Sequence, residues 1–276
     1  MNTKSKSTLE KLEKKLRFQN YAETTIKTYL SYSEMFLNHF KQDVYHISVK
    51  DARHFLENYN YTSISQQNQI ISSVKFLYRE VVGLKLKTLN IKRPRKQKKL
   101  PRIIDAELLA SKIKQIKNIK HRAILTLGLS CGLRISEVIN LKWENLDRNR
   151  NTLNVVQGKG NKDRLCFLND NVIQLLDEYY RSHKNIDQFL SNKVYVFTGQ
   201  NKKQYSTSSI QNLIKKYIDP KESFHCLRHS YCTYAIDNGT GLKALSISMG
   251  HNSTKTIEKT YFHQSVNTLK TIKQVI

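Results

Sequence analysis

His225-Cys226-Leu227-Arg228-His229-Ser230 is the stretch on which the reading of this chain turns. Alone, a histidine three residues before an arginine means little. Its weight comes from its surroundings. Upstream lies Gly132-Leu133-Arg134-Ile135-Ser136-Glu137, and Lys159 sits at the tip of an expected hairpin. Downstream come Gly250-His251 and then Tyr261. Two arginines, a lysine, two histidines and a phenol therefore follow one another in a fixed order.

Composition narrows what this set can serve. A chain of 276 residues can build one large core or two modest ones. Lys and Arg total 47 against 22 Asp and Glu, a net charge of +25. A field of that sign draws polyanions, and nucleic acid is the default partner. A generally basic protein and a lipid-surface binder are the bland alternatives, and composition alone does not choose among them. No window approaches the roughly 18 consecutive apolar residues that would span a bilayer, and no membrane partner is expected. Residues 1–16 carry charge and periodicity rather than the apolar centre of a secretory signal. A cytoplasmic, nucleoid-associated location is the expectation. The four cysteines, Cys131, Cys166, Cys226 and Cys232, are too few and scattered for a disulfide framework, and no Cys-x-x-Cys pair suggests structural zinc.

Periodicity predicts a helical N-terminal unit. Leu9, Leu12 and Leu16 fall at helical spacing within 1–18, and Ile26, Tyr29, Leu30, Ser33, Phe36, Leu37 and Phe40 share one face of 24–40. Thr24 or Thr25 is expected to cap that second helix. Ser48 opens a third helix through Ala52, Phe55 and Leu56. A fourth runs from about Gln66 to Val82 over Ile70, Ile71, Val74, Leu77 and Tyr78, with Gly83 as its stop. The pattern then breaks. Residues 91–102, IKRPRKQKKLPR, hold two of the chain's three prolines and seven basic residues. Such a run cannot bury itself and reads as a linker. Its Lys92, Arg93, Arg95, Lys96, Lys98, Lys99 and Arg102 suit a strap along a DNA backbone.

A second unit begins near Asp105, with helices expected at 105–117, 120–130, 135–141, 172–180, 206–218, 225–237 and 242–249, and another from Thr254 onward. Strands are expected at 153–156 and 165–168, joined through Gln157-Gly-Lys-Gly-Asn-Lys-Asp163, with a short third strand at 194–197. The expected fold class is therefore mainly α with a small antiparallel β-sheet. The expected division is 1–90 as a helical unit, 91–102 as a basic linker and 103–276 as a second unit, which the resemblance described below makes a DNA-binding and a catalytic domain respectively.

The ordered set fits attack on a phosphodiester by a protein oxygen. A phenol with pKa near ~10 is a weak nucleophile but makes a stable aryl phosphodiester. Charge then builds on two non-bridging oxygens, which planar guanidinium forks match. Arg134 and Arg228, arriving from different elements, would clamp them. The leaving 5′-oxygen needs a proton, for which Lys159 is the first candidate and Lys162 the second. His225 and His251 can hydrogen-bond the phosphate, and Tyr261 is the nucleophile.

Four stretches carry a family resemblance: CGLRISEVINLKWENL (131–146), VVQGKGNKDRLCFL (155–168), HCLRHSYCTYAIDNGT (225–240) and MGHNSTKTIEKTYFH (249–263). The chain resembles the tyrosine recombinases of the phage-integrase superfamily and is similar in size to the bacterial Xer recombinases. The family's catalytic set maps onto Arg134, Lys159, His225, Arg228, His251 and Tyr261, with Glu137 as the acidic residue that follows the first arginine. The interval from His251 to Tyr261 is one residue longer than the family's usual one. The resemblance implies a two-domain DNA clamp, with an N-terminal SAM-like core-binding domain. It also implies cleavage through a 3′-phosphotyrosyl bond and a Holliday junction, with no cofactor, nucleotide or metal. Double-stranded DNA at specific recombination sites is the implied partner, held by a homotetramer that works alone, with a paralogous recombinase or with an accessory factor. A tail from Leu269 to Ile276 is expected to dock on a neighbouring protomer. Mobile-element integration and excision, dimer resolution and inversion all remain open as biological roles.

Each residue also has a bland reading. A buried arginine is more often half of a structural ion pair, most tyrosines fill cores, and Lys159 alone is a turn lysine. His225 and His229, at i and i+4 with Cys226 nearby, could form a metal pair, but they lack a third well-spaced ligand, and His229 reads better as an interior packing residue. Residues 242–249, Met249 included, read as core. A type IB topoisomerase or a non-catalytic DNA-binding relative are the competing functional classes. The joint order of the six residues is what favours a recombinase.

Overall fold

The computed structural model describes residues 3–84, 91–94, 102–156, 163–182, 195–199, 204–250, 253–255 and 257–258. It divides between Lys98 and Lys99 into two compact units. Among the described residues no helix is long and apolar enough to cross a membrane.

The first unit is all helical: α1 (Thr3–Phe18), α2 (Glu23–Phe40), α3 (Val49–Asn58) and α4 (Ile64–Leu77). Leu12 and Leu16 from α1, Ile26, Phe36 and Leu37 from α2, Phe55 and Leu56 from α3, and Ile70, Ile71, Val74 and Leu77 from α4 form its core. Ser48 caps α3 by accepting from the Asp51 N–H, and Ser63 caps α4 by accepting from Gln66. The threonine cap expected for α2 does not form. Ala22 stands at that position without a side-chain bond, so both threonines lie inside the helix. Helix α4 widens into a π turn over Tyr78–Val82 before Gly83 ends it at φ +81. Tyr78 is buried there, its hydroxyl donating to the Ile47 carbonyl at 3.1 Å. Ile91, read from the sequence as the start of the basic linker, is buried in this same core.

In the second unit α5 (Ala106–Lys114), α6 (Ile119–Cys131) and α7 (Ile135–Asn140) precede a three-stranded antiparallel sheet. Its strands are β1 (Leu146–Asp147), β2 (Thr152–Val155) and β3 (Arg164–Phe167), in that order. Helices α8 (Asp170–Ser182), α9 (Thr207–Tyr217), α10 (His225–Asp237) and α11 (Leu242–Ser248) follow. Asp105, Asn118 and Ser206 cap α5, α6 and α9. Helix α6 buries Ala123, Ile124, Leu125, Leu127 and Cys131 and packs against α5, α7, α8 and α10, as a helix apolar on most sides must. The third strand is not the expected 194–197. Residue 194 lies outside the described residues, and Tyr195 makes only an isolated bridge to Lys142, while the two-residue β1 pairs with β2 instead.

Two features of this unit position the site. Strand β3 alternates, with Arg164 and Cys166 inward and Leu165 and Phe167 outward. Its register pairs Val155 with Arg164 at the closing end of the β2–β3 hairpin. A satellite cluster of Cys232, Ala235, Leu245, Met249 and Ile257 then locks the end of α11 onto α10.

Candidate active site

Arg134 is the residue before α7, and its helix starts where α6 has just ended. Gly132 makes that change of direction at φ +56. A Cβ there would stand 2.6 Å from the Tyr231 ring, so the position needs glycine on both conformational and steric grounds. The Gly132 carbonyl is turned inward, where Arg228 of α10 donates to it through Nη1.

Arg228 is 4% exposed, and its Nη2 donates to the Met249 carbonyl at 2.7 Å. Arg134 Nη2 reaches the same oxygen at 3.5 Å. Guanidiniums from two different elements therefore meet at one point, at the end of α11. Convergence is the requirement the sequence argument placed on these two arginines, since separate pockets would have excluded a shared anion.

Glu137 anchors Arg134 from below. It sits in the first turn of α7 and accepts from the Arg134 backbone N–H at 2.7 Å and from Arg134 Nη1 at 2.6 Å. It also accepts two bonds from Arg164, Nη1 to Oε1 at 2.6 Å and Nη2 to Oε2 at 3.0 Å. Burial alone would push the Glu137 carboxyl up. The guanidinium of Arg164, with Arg134 behind it, outweighs burial and holds the group below its ordinary value. Three guanidiniums against one carboxylate leave the region net positive, which favours an anion.

His225 opens α10, one turn before Arg228. Lost hydration on its inner side, then the charges of Arg228 and Arg134, lower its pKa and keep the imidazole neutral. His229, a turn further on, is pushed down to about 4, first by burial and then by His225. It is half-buried, its ring 6.4 Å from that of His225, rather than the fully interior residue its sequence position suggested. All four cysteines are buried free thiols.

The structure thus brings Arg134, Glu137, His225 and Arg228 together. Lys159, Lys162, His251 and Tyr261 lie outside the described residues, as do Arg95, Lys96, Lys98 and Lys99 of the basic run and the tail at 269–276. Of the remaining linker cations Lys92 is exposed, while Arg93 donates to Asn68 Oδ1 at 3.3 Å and Ser72 Oγ at 3.0 Å on α4. Arg102 pairs with Asp219 at 3.2 Å and Glu222 at 3.4 Å. Sequence reasoning missed Arg164, whose side chain is 3% exposed. The signal was available: an arginine two residues before Cys166 in a short alternating strand has to face the same side as that cysteine.

Residues 96–268 match the phage integrase family, and residues 8–88 match the N-terminal SAM-like domain of phage integrases. The chain belongs to the phage integrase family. Among its relatives in that family, tyrosine recombinase XerA of Pyrococcus horikoshii is 27% identical over 256 residues, 91% of this chain and 87% of that protein. Tyrosine recombinase XerD of Staphylococcus haemolyticus is 30% identical over 211 residues, 70% of each. The fold matches that of the XerH site-specific recombinase bound to its palindromic difH substrate, at TM-score 0.70 and 21% identity, over 95% of this chain and 82% of that one. Membership makes this phage integrase homologue a site-specific tyrosine recombinase. Its arginine pair stands within the matched region.

Proposed function

We propose that this recombinase cleaves and rejoins duplex DNA at specific sites through a 3′-phosphotyrosyl intermediate, with Tyr261 as nucleophile. The observation that carries the reading is the meeting of Arg134 and Arg228 at one oxygen, beside a carboxylate that fixes the first of them. On the scissile phosphate the two guanidiniums hold the non-bridging oxygens as charge builds, a contribution worth ~10²–10³ in rate per donor. The phenol oxygen of Tyr261 bonds to phosphorus and the 5′-oxygen departs, taking a proton from Lys159 or Lys162. His225, neutral at pH 7, and His251 hydrogen-bond the phosphate and pass the tyrosine proton. The 5′-hydroxyl of a partner strand then attacks and releases the tyrosine. Bonds broken equal bonds formed, so the scheme calls on no nucleotide, metal or other cofactor.

Residues 1–90, with Ile91 seated in their core, act as the core-binding arm and 103–276 as the catalytic domain of a clamp around DNA, the rest of 91–102 serving as the strap. The working assembly is a homotetramer on two synapsed sites, alone or with a paralogous recombinase or accessory factor, in the cytoplasm. Support for subunit contact comes from Leu165, Phe167 and Ile247, exposed around a groove of about 570 Å³ that also takes in Tyr231 and Ala244. The occupant we assign to it is the 269–276 segment of a second copy, which carries Leu269, Ile272 and Val275. Deleting residues 266–276 should then impair synapsis more than binding to a single site, and undiminished synapsis would refute this assembly.

The activity itself is tested by trapping. A nicked duplex bearing the target site should give a denaturant-resistant protein–DNA adduct. Tyr261→Phe should abolish the adduct and leave DNA binding intact. An adduct that survives this substitution would remove Tyr261 as nucleophile.

A further inference from the structure

Arg164 has no part in the phosphate chemistry above, yet its side chain is as deeply buried as the carboxylate it meets, 3% exposed on each side. Taking a guanidinium out of water costs several kcal/mol unless its donors are matched, and an apolar side chain would fill an inward strand position more cheaply. What Arg164 supplies is therefore best sought in what it connects.

It connects three elements. Its Nη1 shares Glu137 Oε1 with Arg134 Nη1, both at 2.6 Å, so the carboxylate that orients Arg134 is itself held from the opposite side. Its Nε donates to the Ser248 carbonyl at 2.6 Å, at the end of α11 and one residue before the Met249 carbonyl where both clamp arginines meet. Its methylene stem lies under Gly250, where a Cβ would come within 3.1 Å of Cδ and the backbone turns at φ +61 toward residue 251. Among the described residues Arg164 is also the last paired one before the segment that contains Lys159 and Lys162.

We propose that Arg164 is the positioning residue of this site. It sets Arg134 through their shared carboxylate and registers the paired ends of β2 and β3 against the end of α11, so that the clamp, this strand pair and the turn at Gly250 assemble as one rigid piece. The proposal rests on reading Arg134 and Arg228 as the phosphate clamp. Displacing a group of this kind by about 1 Å costs on the order of 10²-fold in rate, without the group itself being lost.

The test compares two scissile linkages in one nicked duplex, whose site is taken from the DNA that the unsubstituted chain traps covalently from sheared DNA of its source genome. One duplex carries the ordinary phosphodiester. The other carries a methylphosphonate, in which a methyl group replaces one non-bridging oxygen and the linkage loses its negative charge. Arg164→Met should form adduct about 10²-fold more slowly on the phosphodiester, with unchanged DNA affinity. On the methylphosphonate the deficit should shrink to within about tenfold, because a neutral oxygen asks less of a misplaced clamp. Arg164→Lys, which can meet Glu137 at one point but not fork across both oxygens, should fall between. If Arg164→Met does not fold, the Lys variant carries the same comparison. Full rate in the variants would overturn this assignment alone, and so would an equal deficit on both linkages accompanied by a lowered melting temperature, which marks a merely structural role. No adduct with the unsubstituted chain would overturn the recombinase chemistry and this proposal with it.

Discussion

Glu137→Gln changes one atom and should disturb the second unit more than most substitutions in it. The carboxylate accepts four bonds, two on each oxygen, from the backbone and Nη1 of Arg134 and from Nη1 and Nη2 of Arg164. A glutamine in the same place turns an NH₂ toward two of those donors whichever way its amide is flipped. Two charge-assisted bonds of about 1.5–3 kcal/mol each are lost, and Arg164 keeps its charge without its counterion. Removing one partner of a buried pair costs about 3–5 kcal/mol, which agrees with that count. For a unit of this size the loss corresponds to roughly 10 °C in melting temperature.

The assay is built into the chain. Trp143 is its single tryptophan, buried in the second unit beside Tyr179 and Tyr180, so tryptophan fluorescence follows the unfolding of that unit. Because Glu137 titrates below its ordinary value of 4.5 when folded, its stabilisation is present in full above pH 4.5 and lost on acidification below it. The gap between the native chain and Glu137→Gln should therefore be constant near neutrality and narrow as pH falls through that window. Adding Arg164→Met should cost less in the Gln background than in the native one, since the second change removes an already orphaned charge. A cost below about 1 kcal/mol, strict additivity of the two changes, or a gap that does not narrow in acid would refute the buried-network account.

Three other outcomes follow from the same geometry. Replacing the seven linker cations at 92, 93, 95, 96, 98, 99 and 102 with glutamine should lower the log–log salt slope of duplex binding, measured by fluorescence anisotropy. Arg93 and Arg102 already engage protein groups, so the drop should be about 4–5 rather than above 6. His229 binds its proton near pH 4 in the fold and near 6.5 when unfolded, so stability should fall as pH drops from about 6.5 to 4, and His229→Gln should flatten that slope in urea titrations. Gly132→Ala forces a Cβ against Tyr231 at positive φ, and should cost at least about 2 kcal/mol in the same titrations while slowing adduct formation through the carbonyl that receives Arg228.

How legible each part was depended on the range of the forces that shape it. Helices α1 to α4 announced themselves because one amphipathic face per helix is a local pattern, and Ser48 stood where a cap is read from one residue's chemistry. The Thr24 or Thr25 cap failed because a helix start without side-chain help leaves no mark, so the first hydroxyl in view attracted the assignment. Strand β1 has two residues, too few to alternate, and exists because β2 offers an edge to pair with. Tyr195 showed the opposite error, an apolar run that looked like a strand but found only one bridging partner.

The two arginines proposed as the phosphate clamp could be placed because their chemistry is tied to motifs, whereas the wiring that aims them could not. Arg134 reaches Met249 across 115 positions of sequence, and Arg164 reaches Ser248 across 84. Both acceptors are backbone carbonyls, which every residue carries and which no side-chain pattern can mark. Their direction is set by the apolar anchoring of Met249 among Cys232, Ala235, Leu245 and Ile257. A cavity-forming change in that small cluster, such as Leu245→Ala, would act on the clamp by moving the Met249 carbonyl, without touching a charged group. In this fold the precision of the arginine pair is a property of packing at the end of α11 as much as of the arginines themselves.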